Sequence, residues 1–293
     1  MSTLIRTVTV LGAGTMGAGI AQVAALAGMK TVLHDPDAAA LSRGLDRAVS
    51  RMEEGVRRGK LAPADRDAAR SRLAAAQDAA EAGAQADLIV EAAPESMELK
   101  KRIFAELGRV CRPEAILASN TSSLSVTEIA SGVPDPSRVV GLHFFNPPHI
   151  MKLVEIVRGD RTSDRTIAAA EAFARAAGKE PIVVLDSPGF ATSRLGLALG
   201  LEAMRMVEQG VATPADIDKA MELGYGHPMG PLKVSDLVGL DVRLSIAEIL
   251  HRELGGEQFR PPAILRRLVR AGKLGRKTGE GFHRWDEPGG TGA

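Results

Sequence analysis

A glycine-rich run near the amino terminus constrains the fold more than any other feature of the sequence. Residues 12–17 read Gly-Ala-Gly-Thr-Met-Gly, follow the β-branched run 7–11, and open a small, apolar, Ala-rich stretch that ends near Gly28. A second β-branched run, residues 31–35, comes next. A strand, a glycine turn, a helix and a second strand in this order predict a βαβ unit with parallel pairing.

Each glycine of this turn has its own physical role. Gly12 permits the tight turn, Gly14 lets backbone amides approach a diphosphate, and Gly17 allows the helix to pack closely on the strand. The helix N-terminus supplies partial positive charge to the phosphates. The turn therefore predicts a dinucleotide site, with cofactor-binding residues at Gly12, Gly14, Thr15, Met16 and Gly17. A glycine turn without a ligand is the simpler alternative.

Asp35 predicts which dinucleotide the site prefers. It ends the second strand, 18 residues beyond Gly17, where a carboxylate accepts hydrogen bonds from an adenosine ribose and repels a 2′-phosphate. No arginine follows it directly, and the nearest is Arg43. We therefore expect NAD rather than NADP, although a solvated acid at the strand end remains an alternative.

The remaining pattern predicts an α/β domain followed by a helical one. Residues 36–70 have helical spacing without a strand signal, so we expect a helical excursion there. Further strands are expected at 72–76, 87–90, 115–118, 139–144, 152–157 and 182–185, with helices at 96–111 and 163–177. Beyond residue 187 only helical periodicity continues, to about residue 271. We thus predict a Rossmann-type doubly wound sheet over 1–186, an all-helical domain over 187–293 and a disordered Gly-rich tail after residue 287.

Composition excludes several classes of partner. The chain has 37 basic and 36 acidic side chains and 3% aromatic residues, so neither a phosphate backbone nor stacked bases would be attracted. No run approaches the ~18 apolar residues of a membrane span, and the first residues lack a signal-peptide pattern. Cys111 is alone, and the Cys and His residues lack zinc-ligand spacing. We expect no nucleic acid, no membrane, no metal and a cytoplasmic location.

One histidine and one glutamate form a candidate catalytic pair. His143 lies among apolar neighbours, and Glu155 lies in an apolar run typical of a strand buried on both faces. A carboxylate in that setting is costly unless something pairs with it, and the turn around residues 146–148 could bring it to His143. A histidine with a fixed tautomer suits abstraction of a hydroxyl proton. A purely structural His–Glu hydrogen bond is the alternative.

Further motifs extend over nearly the whole chain. They comprise the glycine turn, Val90-Glu91-Ala92, Ser119-Asn120-Thr121-Ser122-Ser123-Leu124, His143-Phe144-Phe145-Asn146-Pro147, Met151-Lys152-Leu153-Val154-Glu155, Asp186-Ser187-Pro188-Gly189-Phe190, Pro228-Met229-Gly230-Pro231 and Arg276-Lys277-Thr278-Gly279-Glu280-Gly281-Phe282. Together they resemble the NAD-dependent L-3-hydroxyacyl-CoA dehydrogenases, a family that includes the 3-hydroxybutyryl-CoA dehydrogenases.

This resemblance implies roles for individual residues. His143 matches the catalytic base of the family, Glu155 the acid that orients it, and Ser122 a serine that binds the 3-oxygen of the substrate. The positions that match the lining of the NAD site are Asn146, Lys277, Glu95 and Lys100. The basic cluster Arg57, Arg58 and Lys60 lies where family members meet the phosphates of coenzyme A, but a solvated helix face is the simpler interpretation of it.

The chain departs from the family pattern at Ser193. The family usually has Asn at this position, before an Arg, whereas the run here is Phe190-Ala191-Thr192-Ser193-Arg194. A hydroxyl can also donate to the 3-oxygen, although it is shorter and less directional. Losing one good donor to a developing oxyanion can cost on the order of 100-fold in rate, so a slower enzyme, a shifted substrate and compensation by a water are three alternatives at this position.

The resemblance implies reversible oxidation of a (3S)-3-hydroxyacyl-CoA with NAD, in a homodimer formed through the C-terminal helical domain. His143 would take the hydroxyl proton, with Ser122 and Ser193 on the oxygen. Two alternatives remain: a dehydrogenase of the same fold that acts on a sugar acid or short hydroxy acid without coenzyme A, and a non-catalytic NAD-binding protein.

Overall fold

The computed structural model describes residues 5–285, and these fall into two compact units that divide between Ser187 and Pro188. The Gly-rich tail predicted to be disordered lies outside the described residues. Within them, no helix is long and apolar enough to cross a membrane.

An eight-stranded sheet forms the centre of the first unit. The strands are β1 (Thr7–Leu11), β2 (Lys30–His34), β3 (Leu73–Ala76), β4 (Leu88–Glu91), β5 (Ile116–Ser119), β6 (Val139–Phe144), β7 (Leu153–Arg158) and β8 (Glu180–Leu185). Their spatial order is β3-β2-β1-β4-β5-β6-β7-β8. Every neighbouring pair is parallel except β6 and β7, which are antiparallel. The predicted Rossmann-type sheet is confirmed.

Seven α-helices connect the strands described in this unit. They are α1 (Thr15–Leu26), α2 (Ala38–Arg57), α3 (Pro63–Arg72), α4 (Ala79–Ala84), α5 (Met97–Val110), α6 (Val126–Ala130) and α7 (Asp164–Ala176), with a 3₁₀ turn at Pro136–Arg138. The helical excursion is present as α2 and α3. The sequence patterns did not predict α4 and α6, because six and five residues are too few to show a helical period.

The core of the first unit lies on both faces of the central strands. Val10, Leu33, Val90, Val140 and Ile156 are fully buried, as in a parallel sheet covered by helices on each side. At the start of α1, a Cβ on Gly17 would overlap the carbonyl oxygen of Gly12. This glycine therefore lets the first helix pack directly on the turn after β1.

The second unit is helical, as predicted. Its helices are α8 (Thr192–Glu208), α9 (Pro214–Gly224), α10 (Pro231–Val238), α11 (Leu240–Leu254) and α12 (Ala263–Arg270), with 3₁₀ turns at Glu257–Phe259 and Arg276–Thr278. Leu197, Leu201, Leu232 and Leu250 are fully buried in its core. After α12, isolated bridges join Gly275 to Glu280 and Glu280 to Arg284, so residues 275–284 form a folded loop.

Candidate active site

A cavity of about 760 Å³ lies at the carboxyl ends of β1 and β4 in the first unit. The strand order reverses at β1, which pairs with β2 on one side and β4 on the other. Open α/β sheets bind ligands at such a switch point, and the cavity has the volume of a cofactor site. Its lining includes Asp35 and four of the five predicted turn residues, Gly12, Gly14, Thr15 and Met16, whereas Gly17 packs behind the turn.

The glycine turn leaves room for a diphosphate on the cavity side. Gly12 has φ 98°, and a Cβ there would lie 2.5 Å from the carbonyl oxygen of Ala92. By contrast, apart from its chain neighbours, none of the described residues lies within 4 Å of a Cβ built on Gly14. Gly14 is the N-cap of α1, whose first turn has no side-chain cap, so its amide groups can bind an anion. These features fit the diphosphate of NAD.

Asp35 is held by backbone amides at the edge of this cavity. Its Oδ2 accepts a hydrogen bond from Ala13 N at 2.8 Å, and its Oδ1 accepts one from Asp37 N at 3.0 Å. Arg43 and Arg47 of α2 also line the cavity, and Arg43 lies 3.7 Å from the Asp37 carboxylate. A fixed carboxylate here suits a ribose with two free hydroxyls and disfavours a 2′-phosphate.

His143 and Glu155 contact each other inside the sheet. The antiparallel register of β6 and β7 places them directly opposite, and His143 Nδ1 lies 2.7 Å from Glu155 Oε2. The exposed fraction is 6% for His143 and 0% for Glu155. An ionised carboxylate only accepts, so Nδ1 carries the proton and Nε2 the lone pair. The pair can therefore act as a base with a fixed tautomer.

Ser122 and His143 follow neighbouring strands to the same edge of the sheet. β5 and β6 run parallel, with Ser119 opposite Gly141, and their carboxyl ends lead to Ser122 and His143. Asn120 Oδ1 accepts a hydrogen bond from Phe144 N at 2.9 Å and joins the two strand ends. Ser122 N donates to Glu95 Oε1 at 3.1 Å, so the predicted residue Glu95 fixes the backbone of the serine.

Lys100 is the predicted cofactor-site residue whose surroundings differ most from the prediction. It is buried and does not line the cavity. Its Nζ donates to Glu91 Oε1 at 2.6 Å and lies 3.4 Å from Glu95 Oε2. Glu91 is fully buried and also accepts from Ser119 Oγ at 2.7 Å. Glu91 thus joins the end of β4 to the end of β5, and Lys100 joins Glu91 to Glu95, which accepts from the amide of Ser122.

Glu91 is not among the site residues predicted from the sequence. The signal was present, because Glu91 closes the apolar run 88–90 just as Glu155 interrupts a buried strand. The rule that a buried carboxylate needs a partner would have found both. The helix after β4 supplies that partner at Lys100, nine residues on.

The turn after β6 carries Asn146 and is held by Lys179. Asn146 is exposed. Lys179 is only 7% exposed and donates to the carbonyl oxygens of Pro148 and Met151 at 2.5 and 2.9 Å. Burial lowers the pKa of Lys179. The sequence did not indicate that Lys179 is buried, because a single lysine between a helix and a strand is usually exposed to solvent.

The second unit carries the two other predicted site residues. Ser193 is the second residue of α8 and follows Gly189 and Phe190, which both have left-handed backbones with φ 75° and 49°. Lys277 lies in the 275–284 loop, with Nζ 2.7 Å from Asp241 Oδ2. The loop is fixed by Asp236, whose carboxylate accepts from the amides of residues 282 and 283.

The basic cluster lies at the end of α2. Arg57 is the last residue of that helix, Arg58 and Lys60 follow it, and all three are exposed. Arg58 lies 2.5 Å from the carboxylate of Glu54. Arg57 and Lys60 thus offer positive charge at the surface, while Arg58 is partly neutralised.

Comparison with known proteins covers both units. Residues 7–187 match the family model described as "3-hydroxyacyl-CoA dehydrogenase, NAD binding domain", and residues 189–285 match the one described as "3-hydroxyacyl-CoA dehydrogenase, C-terminal domain". A probable 3-hydroxybutyryl-CoA dehydrogenase of Bacillus subtilis is 44% identical over 97% of this chain and 98% of its own. The 3-hydroxyadipyl-CoA dehydrogenase of Escherichia coli is 42% identical over 96% of this chain and 59% of its own.

A solved structure gives the same result. The crystal structure of (S)-3-hydroxybutyryl-CoA dehydrogenase from Ralstonia eutropha matches with a TM-score of 0.93 and 40% identity, over 97% of this chain and 100% of that one. The chain therefore belongs to the 3-hydroxyacyl-CoA dehydrogenase family of NAD-dependent oxidoreductases.

Proposed function

We propose that the protein catalyses the reversible oxidation of a (3S)-3-hydroxyacyl-CoA to the 3-oxoacyl-CoA, with His143 as the general base. The observation that carries this proposal is the buried 2.7 Å contact between His143 Nδ1 and Glu155 Oε2, on the strand next to the one that leads to Ser122. A buried carboxylate is costly without a partner, and its partner here is the side chain suited to proton transfer.

Each step of the chemistry has a residue to perform it. His143 Nε2 accepts the proton of the 3-hydroxyl group, and Glu155 stabilises the positive charge that develops on the ring. The hydroxyl of Ser122 binds the 3-oxygen and holds C3 in position. Bound NAD supplies the hydride acceptor. In the reverse direction, His143 returns the proton to the 3-oxygen.

Other residues position the cofactor. The amides after Gly12 and Gly14 bind the diphosphate, and Asp35 binds the adenosine ribose. Glu95 binds the amide of Ser122, and Lys100 holds Glu95 and Glu91 in place. Asn146 and Lys277 are proposed to contact NAD. We further propose that Arg57 and Lys60 meet the phosphates of coenzyme A, because both are exposed cations.

The second unit, in this proposal, holds the acyl chain and forms a homodimer. Ser193 donates to the 3-oxygen in place of the Asn usual in the family. Several large apolar side chains of this unit are exposed, at Leu195, Leu199, Leu223, Tyr225, Leu237, Val238 and Val242. Exposed apolar surface of this extent is typical of a subunit interface. With NAD and acyl-CoA as its reactants, we place the enzyme in the cytoplasm.

Steady-state assays test the reaction. We expect oxidation of NADH by acetoacetyl-CoA, a slower rate with NADPH, and no turnover of free 3-oxo acids or sugar acids. Turnover of the free acids with none of the thioesters would contradict the proposal. Binding of NADH without any turnover would identify a non-catalytic protein.

A further inference from the structure

The second unit contains a buried cation without a counter-ion. Arg243, on α11, is 7% exposed. Its Nε is inaccessible and has no hydrogen-bond partner, and among residues 5–285 its guanidinium forms no hydrogen bond or ion pair. Burial lowers the pKa of Arg243 only to about 10, so the group is charged at neutral pH.

Charged side chains on the same helix and on α8 do not pair with Arg243. Asp241 is on the same helix but pairs with Lys277 at 2.7 Å. Arg194 adds positive charge on α8, where it lies 5.8 Å from the centre of the Phe259 ring. Burying an unpaired guanidinium is strongly unfavourable, so an anionic ligand would be bound tightly here.

The location of the guanidinium narrows the choice of anion. Arg243 Nη1 lies 3.9 Å from the place where Gly196 would carry a Cβ, and no other described side chain comes within 4 Å of that place. Gly196 is three residues beyond Ser193, and such pairs are neighbours on a helix surface, about 4.5 Å apart along its axis. The missing side chain therefore leaves space beside the guanidinium, one turn from Ser193.

We propose that Arg243 binds a carboxylate at the far end of the acyl chain, so that the preferred substrate is the CoA thioester of a 3-hydroxydicarboxylic acid. This inference rests on the proposed function, which puts Ser193 at the 3-oxygen. The phosphates of coenzyme A lie beyond the long pantetheine arm, and the diphosphate of NAD belongs to the glycine turn of the first unit. A carboxylate a few methylene groups beyond C3 has the required length, and the planar guanidinium can bind both of its oxygens.

Two substrates with the same six-carbon chain provide the test. (3S)-3-Hydroxyadipyl-CoA ends in a carboxylate and (3S)-3-hydroxyhexanoyl-CoA ends in a methyl group. We expect the protein to favour the first in kcat/KM by on the order of 100-fold. The variant Arg243→Met should lose this preference because its kcat/KM falls with (3S)-3-hydroxyadipyl-CoA alone, while its rate with (3S)-3-hydroxyhexanoyl-CoA is kept or raised. Arg243→Lys keeps the positive charge but lacks the planar guanidinium that can bind both carboxylate oxygens, so it should retain part of the preference.

The controls separate this inference from the proposed function. Arg252→Met removes an exposed arginine from the same helix and should leave both rates unchanged. Arg243→Met should unfold at the same temperature as the parent or a higher one, because an unpaired buried charge is replaced by an apolar side chain. If Arg243→Met lowers both rates equally, Arg243 acts on the 3-oxygen and the inference is wrong. A parent enzyme without preference also overturns it, whereas failure to oxidise either thioester refutes the proposed function itself.

Discussion

At the scale of single residues, buried charged side chains hold the proposed catalytic groups of the first unit. Glu155, Glu91 and Lys100 are buried in the first unit, and each contacts a partner within 2.7 Å. Such pairs add little net stability, since desolvation offsets their attraction. Their effect is to fix the position and protonation of the groups they hold.

Replacing Glu155 by Gln should impair catalysis through the tautomer of His143. The amide of Gln can donate to Nδ1, which moves the ring proton to Nε2 and removes the base. We expect kcat to fall by on the order of 100-fold or more, with NADH affinity unchanged by fluorescence titration. Glu180→Gln, on the neighbouring strand β8 and exposed, is the matched control. An unchanged kcat in Glu155→Gln would show that the pair is structural.

Replacing Asp35 by Asn should change the choice of cofactor. The substitution removes the charge that disfavours a 2′-phosphate but keeps an oxygen for the Ala13 amide. The ratio of kcat/KM for NADH to that for NADPH should fall, on the order of 100-fold. Asp37→Asn changes a nearby exposed acid that caps α2 and should leave the ratio as it was. If Asp35→Asn and Asp37→Asn have the same ratio of kcat/KM for NADH to that for NADPH, Asp35 does not select the cofactor.

The sequence predicted the contact between His143 and Glu155, because the physical cause of that contact is local. A glutamate inside an apolar strand indicates a partner, and the antiparallel register supplies His143. Lys179 and Arg243 could not be found in this way, because nothing in the flanking residues shows that these long cationic side chains are buried. Their surroundings come from other segments of the chain, such as the turn 146–151 for Lys179.

At the scale of elements, the turn between β6 and β7 depends on one lysine. Replacing Lys179 by Met leaves the buried carbonyl of Pro148 without its donor. We expect the free energy of unfolding to fall by about 1–3 kcal/mol and KM for NAD to rise, since Asn146 lies on the same turn. Lys152→Met, at an exposed lysine of that turn, should change neither quantity. Denaturant titration and steady-state kinetics measure both effects.

The same lysine gives an expectation for pH. Its pKa is lower in the folded state than its ordinary 10.5, so the unfolded chain binds more protons between the two values. Stability from this group therefore increases as pH rises through that window. The loss caused by Lys179→Met should thus be larger at pH 10 than at pH 7. If the loss of stability in Lys179→Met becomes smaller as pH rises, folding favours the charged form of Lys179 and its pKa is not lowered.

Elements with a strong period were predicted correctly, and short ones were missed. Buried apolar runs predicted central strands such as β4 and β6, since a strand covered on both faces is a continuous apolar segment. The strands β3 and β8 were also predicted, although about half or more of their side chains are exposed. The short helices α4 and α6 have their signal in the caps, where Asp78 accepts from Glu81 N and Ser125 from Glu128 N. That capping pattern would have placed both starts.

For the whole molecule, exposed apolar surface on the second unit predicts self-association. Leu195 and Leu199 are one turn apart on α8, and Leu195 is 72% exposed. Changing both to Glu should convert a dimer into monomers in sedimentation velocity, because charges would be buried at the interface. A control with Lys219→Glu and Arg270→Glu adds acid at exposed polar positions and should remain dimeric. A parent chain that sediments as a monomer would contradict the proposal.

The most direct test of the account is the turnover of His143→Gln. The substitution removes the ring nitrogen that takes the hydroxyl proton, while the side-chain amide of Gln can still donate to Glu155. With acetoacetyl-CoA and NADH, kcat should fall by roughly 100- to 10,000-fold, and the Kd for NADH measured by fluorescence should stay as in the parent. Turnover at the parent rate, with the same Kd, would show that His143 is not the base.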